Sequence, residues 1–191
     1  MGKNRLEAFS DGVIAIVITI MVFDLKVPHG DDLAALGGLW PVFFSYVLSF
    51  VTVAIFWNNH HHLLHTAKHV AAPVMWANMC LLFWLSLFPV TTGWMGESYF
   101  AVWPVAVYSL VSLLSAVSYF ILERAIIAGQ GKDGDLARAV GSDWKSKASL
   151  IAYGVSIFVA FVSPWISLAI LAGVAVMWII PDRRIEKVIG G

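Results

Sequence analysis

The sequence predicts an all-helical membrane protein that crosses the bilayer six times. Of its 191 residues, 60% are hydrophobic and only 13% are charged, whereas soluble domains carry about 45–50% apolar and about 25% charged residues. Six apolar segments with lengths close to those of membrane helices follow one another along the chain. The segments fall at about residues 6–27, 39–59, 70–90, 100–122, 146–162 and 165–180.

Proline and glycine residues mark the ends of these segments. Pro28 follows the first segment, Gly93 lies between the third and the fourth, and Pro164 separates the fifth from the sixth. Both residue types destabilise the interior of a helix, so they indicate where helices begin and end. We therefore assign residues 1–191 to a single six-helix transmembrane domain. Its longest polar stretch is an expected cytoplasmic loop at about 123–147.

The basic residues indicate how the chain is oriented in the membrane, because cytoplasmic loops are enriched in Lys and Arg. With a cytoplasmic N-terminus, six spans place 11 of the 12 basic residues inside and leave Lys26 alone outside. An odd number of spans would scatter these charges, so both termini are expected in the cytoplasm. The acidic residues of the opposite loops either concentrate cations at an outer mouth or simply face water.

Ionisable residues lie unusually close to the first apolar segment. Arg5, Glu7 and Asp11 precede the run 13–23, and Asp24 follows it. A charged side chain in hydrocarbon costs about 2.5–3.5 kcal/mol even on the most lenient insertion scale. The uninterrupted run is also shorter than the roughly 20 residues that a lipid-bathed span needs. The segment therefore suits a helix that is shielded by protein and touches water, such as the lining of a pore.

At 100° per residue, one stripe of the first helix carries large apolar side chains and a single hydroxyl. Asp11 lies about 140° from Ile16, so its carboxylate faces neighbouring helices instead. An apolar stripe of this kind either packs against other helices or faces a central axis shared by several subunits. This stripe of the first helix consists of Gly12, Ile16, Thr19, Ile20, Phe23 and Val27.

Two motifs resemble those of a known family. Arg5, Phe9, Ser10 and Asp11 form an Arg-x-x-x-Phe-Ser-Asp motif at the start of the first segment, and residues 57–62 read Trp-Asn-Asn-His-His-His. Together with six apolar segments, these motifs resemble the transmembrane protein 175 family of bacterial and endolysosomal potassium channels. The resemblance implies that the first helix lines a central pore in a homotetramer of six-helix chains, placed in a bacterial plasma membrane.

The resemblance also implies roles for four residues of the stripe. Ile16 would form the tightest constriction, and Thr19 would offer a hydroxyl to a cation that has shed part of its water. Ile20 and Phe23 would add outer layers, although Phe23 is bulkier than the usual aliphatic residue. Potassium holds its water less tightly than sodium, which favours potassium at a hydrophobic neck. Potassium would be the permeant ion, with no cofactor, and no nucleic acid is expected as a partner.

The polar motif residues are expected to hold the pore helix in place. In an alternative interpretation, Ser10 and Asp11 only cap the N-terminus of the helix, where their side chains accept hydrogen bonds from free backbone N–H groups. The resemblance favours a charge-assisted network in which Asp11 accepts a hydrogen bond from Arg5 or from a histidine of the second helix. The expected members of this network are Arg5, Phe9, Ser10, Asp11, Trp57, His61 and His62.

Five histidines lie between His60 and His69, where the second segment reaches the cytoplasm. His61, His65 and His69 repeat every four residues, a spacing that either binds zinc or simply forms a titratable helix end. A secondary cation/proton transporter that uses Asp11 and this cluster is therefore the main alternative to a channel. An embedded metal or haem enzyme is a third class, but the expectation is that the protein is not an enzyme and holds no metal.

Overall fold

The computed structural model describes residues 2–29, 32–67, 70–130 and 144–179, and these ranges are built from α-helices and connecting turns. A 3-10 turn, Met21–Asp24, continues the first helix. The α-helices within the described ranges are α1 (Lys3–Ile20), α2 (Ala34–Gly37), α3 (Trp40–Thr66), α4 (Ala72–Leu85), α5 (Phe88–Glu97), α6 (Val102–Gln130), α7 (Trp144–Val159) and α8 (Pro164–Ile179).

Four stretches of the described chain are long and apolar enough to cross a membrane. They are Lys3–Asp24, Trp40–Thr66, Ala72–Glu97 and Val102–Gly129. Helices α7 and α8, which correspond to the fifth and sixth predicted segments, have 16 residues each, slightly fewer than the roughly 17–25 of a typical span. The protein is thus an all-helical membrane protein with four membrane-capable stretches in its described part.

The helix boundaries differ from the predicted ones at both ends of the first and third segments. The α-helix of the first segment ends at Ile20 and tightens into the 3-10 turn, so Val27 lies beyond the helix. The third segment is two helices, α4 and α5, that meet at Ser86 and Leu87. Pro89 stands in the first turn of α5, where its missing N–H costs nothing, whereas inside a continuous helix it would remove a hydrogen bond.

The polar stretch expected as a loop at 123–147 is helical at both ends. Helix α6 continues to Gln130 and α7 begins at Trp144, while residues 131–143 lie outside the described ranges. The guanidinium of Arg124 lies 4.7 Å from the centre of the Phe120 ring, one turn earlier on α6. This contact between residues four apart supports the helix where its composition becomes polar.

The helices pack around one continuous core. Helix α1 contacts α3, α4 and α5, and α6 lies against α4, α5, α7 and α8. A stripe of small hydroxyl residues on α6 is buried, which lets neighbouring helices approach closely and bond across the interface. Its members are Ser109, Ser112, Ser115 and Ser118.

Gly96 is a point of close approach between α5 and α3, and it gives a test of the packing. A Cβ atom added there would lie 2.7 Å from the Cα of Val42, well inside the roughly 3.5–4.0 Å of a favourable carbon contact. Gly96→Ala should therefore push α3 and α5 apart and cost about 1–3 kcal/mol, seen as a lower thermal unfolding midpoint in detergent. Gly154→Ala is the matched control, because its Cβ would meet nothing within 4 Å. Equal midpoints for the two variants would contradict this packing.

Candidate pore-lining site

Helix α1 has one face buried in the protomer and one face left open. The buried face carries Leu6, Ser10, Ile14 and Val17. Within its most apolar window, only 28% of α1 is buried, against 44–50% for the other three long stretches. A membrane helix with so little contact inside its own chain presents the remaining surface to lipid or to another subunit.

The α1 stripe predicted from the sequence lies on this open face. Ile16 is 58% exposed, Ile20 is 45% exposed and Phe23 is 85% exposed, and Thr19 is exposed as well. Within one protomer, the stripe therefore does not pack against other helices. Of the two interpretations of the stripe, packing inside a single chain is excluded. Phe23 departs from the regular stripe, because the 3-10 turn advances by about 120° per residue instead of 100°.

The Thr19 hydroxyl is oriented by its own helix. Its Oγ1 donates a hydrogen bond to the carbonyl oxygen of Ile16 at 3.0 Å. The single proton of the hydroxyl is thereby used, and the oxygen keeps lone pairs that can accept or coordinate. On an exposed and otherwise apolar face, this oxygen is a suitable contact for a partly dehydrated cation.

A buried chain of polar side chains fastens the other face of α1 to α3 and α4. His60 Nε2 and Asn78 Oδ1 lie 2.7 Å apart, and Asn78 Nδ2 donates to Ser10 Oγ at 2.9 Å. Ser10 in turn donates to the Leu6 carbonyl at 2.8 Å. Ser10, His60 and Asn78 are all fully buried. Buried polar groups are costly without partners. This chain of hydrogen bonds therefore fixes the rotation of α1 about its own axis, and with it the direction in which each α1 side chain points.

Two more contacts join α1 to α3 beside this chain. Trp57 Nε1 donates to Asp11 Oδ1 at 2.9 Å, and His61 Nδ1 lies 3.3 Å from Glu7 Oε1. The donor to Asp11 is therefore an indole, and not Arg5 or a histidine as expected from the sequence. Helices α1 and α3 run in opposite directions, so Asp11, the later residue on α1, contacts Trp57, the earlier residue on α3. The two contacts lie one turn apart, since Glu7 precedes Asp11 by four residues and Trp57 precedes His61 by four.

The remaining members of the expected network are placed differently. Phe9 is exposed on the open face, and Arg5 is exposed without a hydrogen bond or ion pair in the part of the chain that is described. The His62 ring packs edge-on against that of His61, with centroids 5.6 Å apart. The structure thus brings together Ser10, Asp11, Trp57 and His61, and leaves Arg5 and Phe9 outside.

Asn78 is the member of the site that sequence analysis missed. It is an amide in the apolar helix α4, and a buried amide needs several partners. A single amide in an apolar helix was the signal that could have identified Asn78, although the sequence does not show which side chains hydrogen-bond to it. His60 was counted with the histidine cluster, but it belongs to the buried chain.

The histidines do not form a metal site in the described residues, where no group of three or more His, Cys, Asp or Glu side chains could hold an ion. The rings of His61 and His65 are 6.4 Å apart, and the His65 carbonyl accepts a hydrogen bond from Lys3 Nζ at 2.6 Å. His69, the third residue of the predicted zinc spacing, lies outside the described ranges.

We expect Asp11→Ala to lower the yield of folded, assembled protein, because it removes the acceptor that ties α1 to Trp57. Trp57→Phe should have the same effect, and size-exclusion chromatography measures both. Trp76→Phe is the control, since Trp76 is exposed on α4. Normal assembly of Asp11→Ala with altered ion selectivity would instead make Asp11 an ion contact.

The chain resembles known proteins along nearly its whole length. Residues 5–89 match the family model of the endosomal/lysosomal potassium channel TMEM175. The chain is 50% identical over 187 residues to a potassium channel of Chryseobacterium sp., a match covering 98% of this chain and 97% of that protein. A shorter match, 38% identical over 96 residues, relates 44% of this chain to 19% of the human endosomal/lysosomal proton channel TMEM175.

A solved structure shares the fold. The crystal structure of a lysosomal potassium-selective channel TMEM175 homologue from Chamaesiphon minutus superposes with a TM-score of 0.80 at 24% sequence identity. The superposition covers 92% of this chain and 95% of that chain. The match to the family model and the nearly full-length bacterial relative give one conclusion: the chain belongs to the TMEM175 family, whose members are ion channels and not enzymes.

Proposed function

We propose that this protein is a potassium-selective channel whose pore is lined by α1. The observation that carries the proposal is the exposed α1 stripe opposite a face held by the Ser10–Asn78–His60 chain. One helix cannot enclose a pathway, whereas identical copies around a rotation axis can. The name of the Chryseobacterium relative supports potassium as the ion, and we take the assembly to be a homotetramer.

In the proposed topology each chain crosses the membrane six times. Helices α4 and α5 together make one broken span, and α7 and α8 make the last two short ones. An even number of spans returns the C-terminus to the side of the N-terminus, and the distribution of Lys and Arg puts that side in the cytoplasm. The nearly full-length bacterial relative supports a bacterial plasma membrane.

The proposed constriction is a pair of isoleucine layers with a hydroxyl layer between them. Ile16 and Ile20 are one turn apart on α1, so their rings would be separated by about 6 Å along the axis. Rings of apolar side chains exclude ions by dewetting. Thr19 would replace part of the lost hydration, and potassium, which dehydrates more readily than sodium, would pass more easily. Potassium is then the transported ion and needs no resident cofactor.

A second candidate is proton permeation or proton-coupled transport. It is favoured by the His61–Glu7 contact of 3.3 Å at the cytoplasmic end of α1, and the vertebrate relatives are named proton channels. A proton pathway needs side chains that can carry a proton, and this contact places an imidazole beside a carboxylate. The two candidates differ in what drives the current.

The experiment is a reversal-potential measurement on purified protein in planar bilayers. With potassium on one side and sodium on the other at equal pH, a potassium channel gives a reversal potential displaced towards the potassium equilibrium potential. A potential near zero would contradict potassium selectivity. A potential that follows an imposed pH gradient would favour the second candidate.

A further inference from the structure

We infer that each protomer has a binding site for an uncharged amphiphile from the bilayer, between α3, α6, α7 and α8, with the Tyr153 hydroxyl as its hydrogen-bond donor. No residue of α1 lines the site, so it is separate from the proposed pore. The site has an inner cavity with polar groups and an adjoining apolar groove.

The inner cavity has a volume of about 40 Å³. On the same measure a water molecule needs about 10–15 Å³, so the cavity has room for one small polar group and the first carbon atoms attached to it. Aliphatic and aromatic walls surround a few hydroxyl and amide groups. The polar groups of the lining belong to residues that include Thr52, Asn59, Ser149, Tyr153 and Trp178.

Tyr153 supplies the free hydrogen-bonding group of this cavity. It is only 6% exposed, and its hydroxyl makes no hydrogen bond within the described residues. The neighbouring hydroxyls are already engaged: Thr52 donates to the Leu48 carbonyl at 2.8 Å, and Ser149 donates to the Lys145 carbonyl at 2.8 Å. Ser149 also accepts from Trp178 Nε1 at 2.8 Å. The Tyr153 hydroxyl is not among the fully buried side-chain atoms that lack a partner, and Tyr153 lines the cavity. A ligand acceptor in the cavity could therefore receive a hydrogen bond from this hydroxyl.

The groove lies between α3 and α8 and has a volume of about 310 Å³. It shares Ile55, Asn59 and Trp178 with the cavity, so the two spaces adjoin. An apolar cavity of about 150 Å³ holds a benzene molecule, and the groove is about twice that size. It can therefore hold the apolar body of a ligand whose polar group enters the cavity.

The ligand should carry no charge. None of the described residues that line the cavity or the groove is acidic, basic or a histidine. A carboxylate or ammonium group would lose its hydration there without a counter-ion. The Nζ of Lys145 lies 5.7 Å from the centre of the Trp178 ring, but Lys145 lines neither space. A bilayer-dissolved alcohol or carbonyl compound has the required chemistry.

The test is photolabelling of the full-length protein in lipid nanodiscs with a diazirine-bearing octanol, followed by peptide mass spectrometry. We expect adducts on α7 and α8 near Tyr153 and Trp178, and competition by excess n-octanol but not by n-octane. Tyr153→Phe should reduce this labelling by about three- to tenfold, the range of one neutral hydrogen bond. Tyr46→Phe is the control, since Tyr46 is a half-buried tyrosine of α3 that lines neither space.

Three outcomes would overturn the inference. Labelling spread evenly over lipid-facing residues would mean that no specific site exists. Equal competition by octane would mean that Tyr153 donates nothing to the ligand, and stronger competition by octanoate would make the site anionic-selective. Size-exclusion profiles show whether Tyr153→Phe is folded. As a second variant, Ala175→Leu fills the cavity from α8 and should abolish the same labelling.

Discussion

Ile16→Asn should raise the potassium conductance and move the potassium-to-sodium permeability ratio towards one. In the proposed tetramer this substitution turns the narrowest apolar ring into a ring of amides, which hydrate the neck and offer oxygen atoms to either cation. A barrier lowered by only about 1.4 kcal/mol gives a tenfold faster passage. We expect an increase of about that order in single-channel recordings, together with a reversal potential closer to zero in a potassium/sodium gradient.

Ile166→Asn is the matched control for this prediction. Ile166 is exposed near the start of α8, and α8 does not belong to the proposed pore lining. Its replacement should leave conductance and reversal potential unchanged. Unchanged currents in folded Ile16→Asn protein would remove Ile16 from the pore.

The largest loss of stability should follow from Asn78→Ala. This substitution leaves the buried His60 Nε2 without its partner and removes the donor to Ser10. Each buried polar group left unsatisfied costs about 1–3 kcal/mol, so we expect a loss of about 2–4 kcal/mol. Because whole domains are stable by only about 5–15 kcal/mol, much less folded protein should be recovered, with a clearly lower thermal unfolding midpoint.

Asn58→Ala is the control, because Asn58 is an exposed asparagine of α3. It should change the midpoint little. A double-mutant cycle sharpens the comparison: His60→Ala and Asn78→Ala should be strongly non-additive, since they share one hydrogen bond. Additive losses would show that the two side chains contribute independently and that the buried chain does not act as a unit.

Features that depend on local composition and period were predictable from the sequence. The helical membrane class follows from apolar content, and the grouping of Ile16, Thr19 and Ile20 on one side of α1 follows from their 100° spacing. Spacing alone did not decide whether this side packs against other helices, and the structure leaves it exposed. The 3-10 turn at Met21–Asp24 and the break between α4 and α5 arise from a few residues each, which composition over a long window does not resolve.

Features that depend on how two helices are aligned were not predictable. The pairing of Asp11 with Trp57, and of Glu7 with His61, is set by the relative position of antiparallel α1 and α3. The sequence identifies the polar side chains but not their partners, since several donors lie within a turn or two of each other. Asn78 illustrates the same limit, because its partners come from two other helices.

If the exposed stripe of α1 lines the ion pathway, the side chains at position 19 of all subunits face one another around the axis. We would introduce Thr19→Cys into a Cys80→Ala protein, which removes the chain's single native cysteine, and record potassium currents in planar bilayers before and after adding Cd²⁺. We expect a block that reverses when the metal is chelated, because several thiols would surround one axis. Full current in Cd²⁺, with a thiol shown to be accessible by labelling, would contradict it.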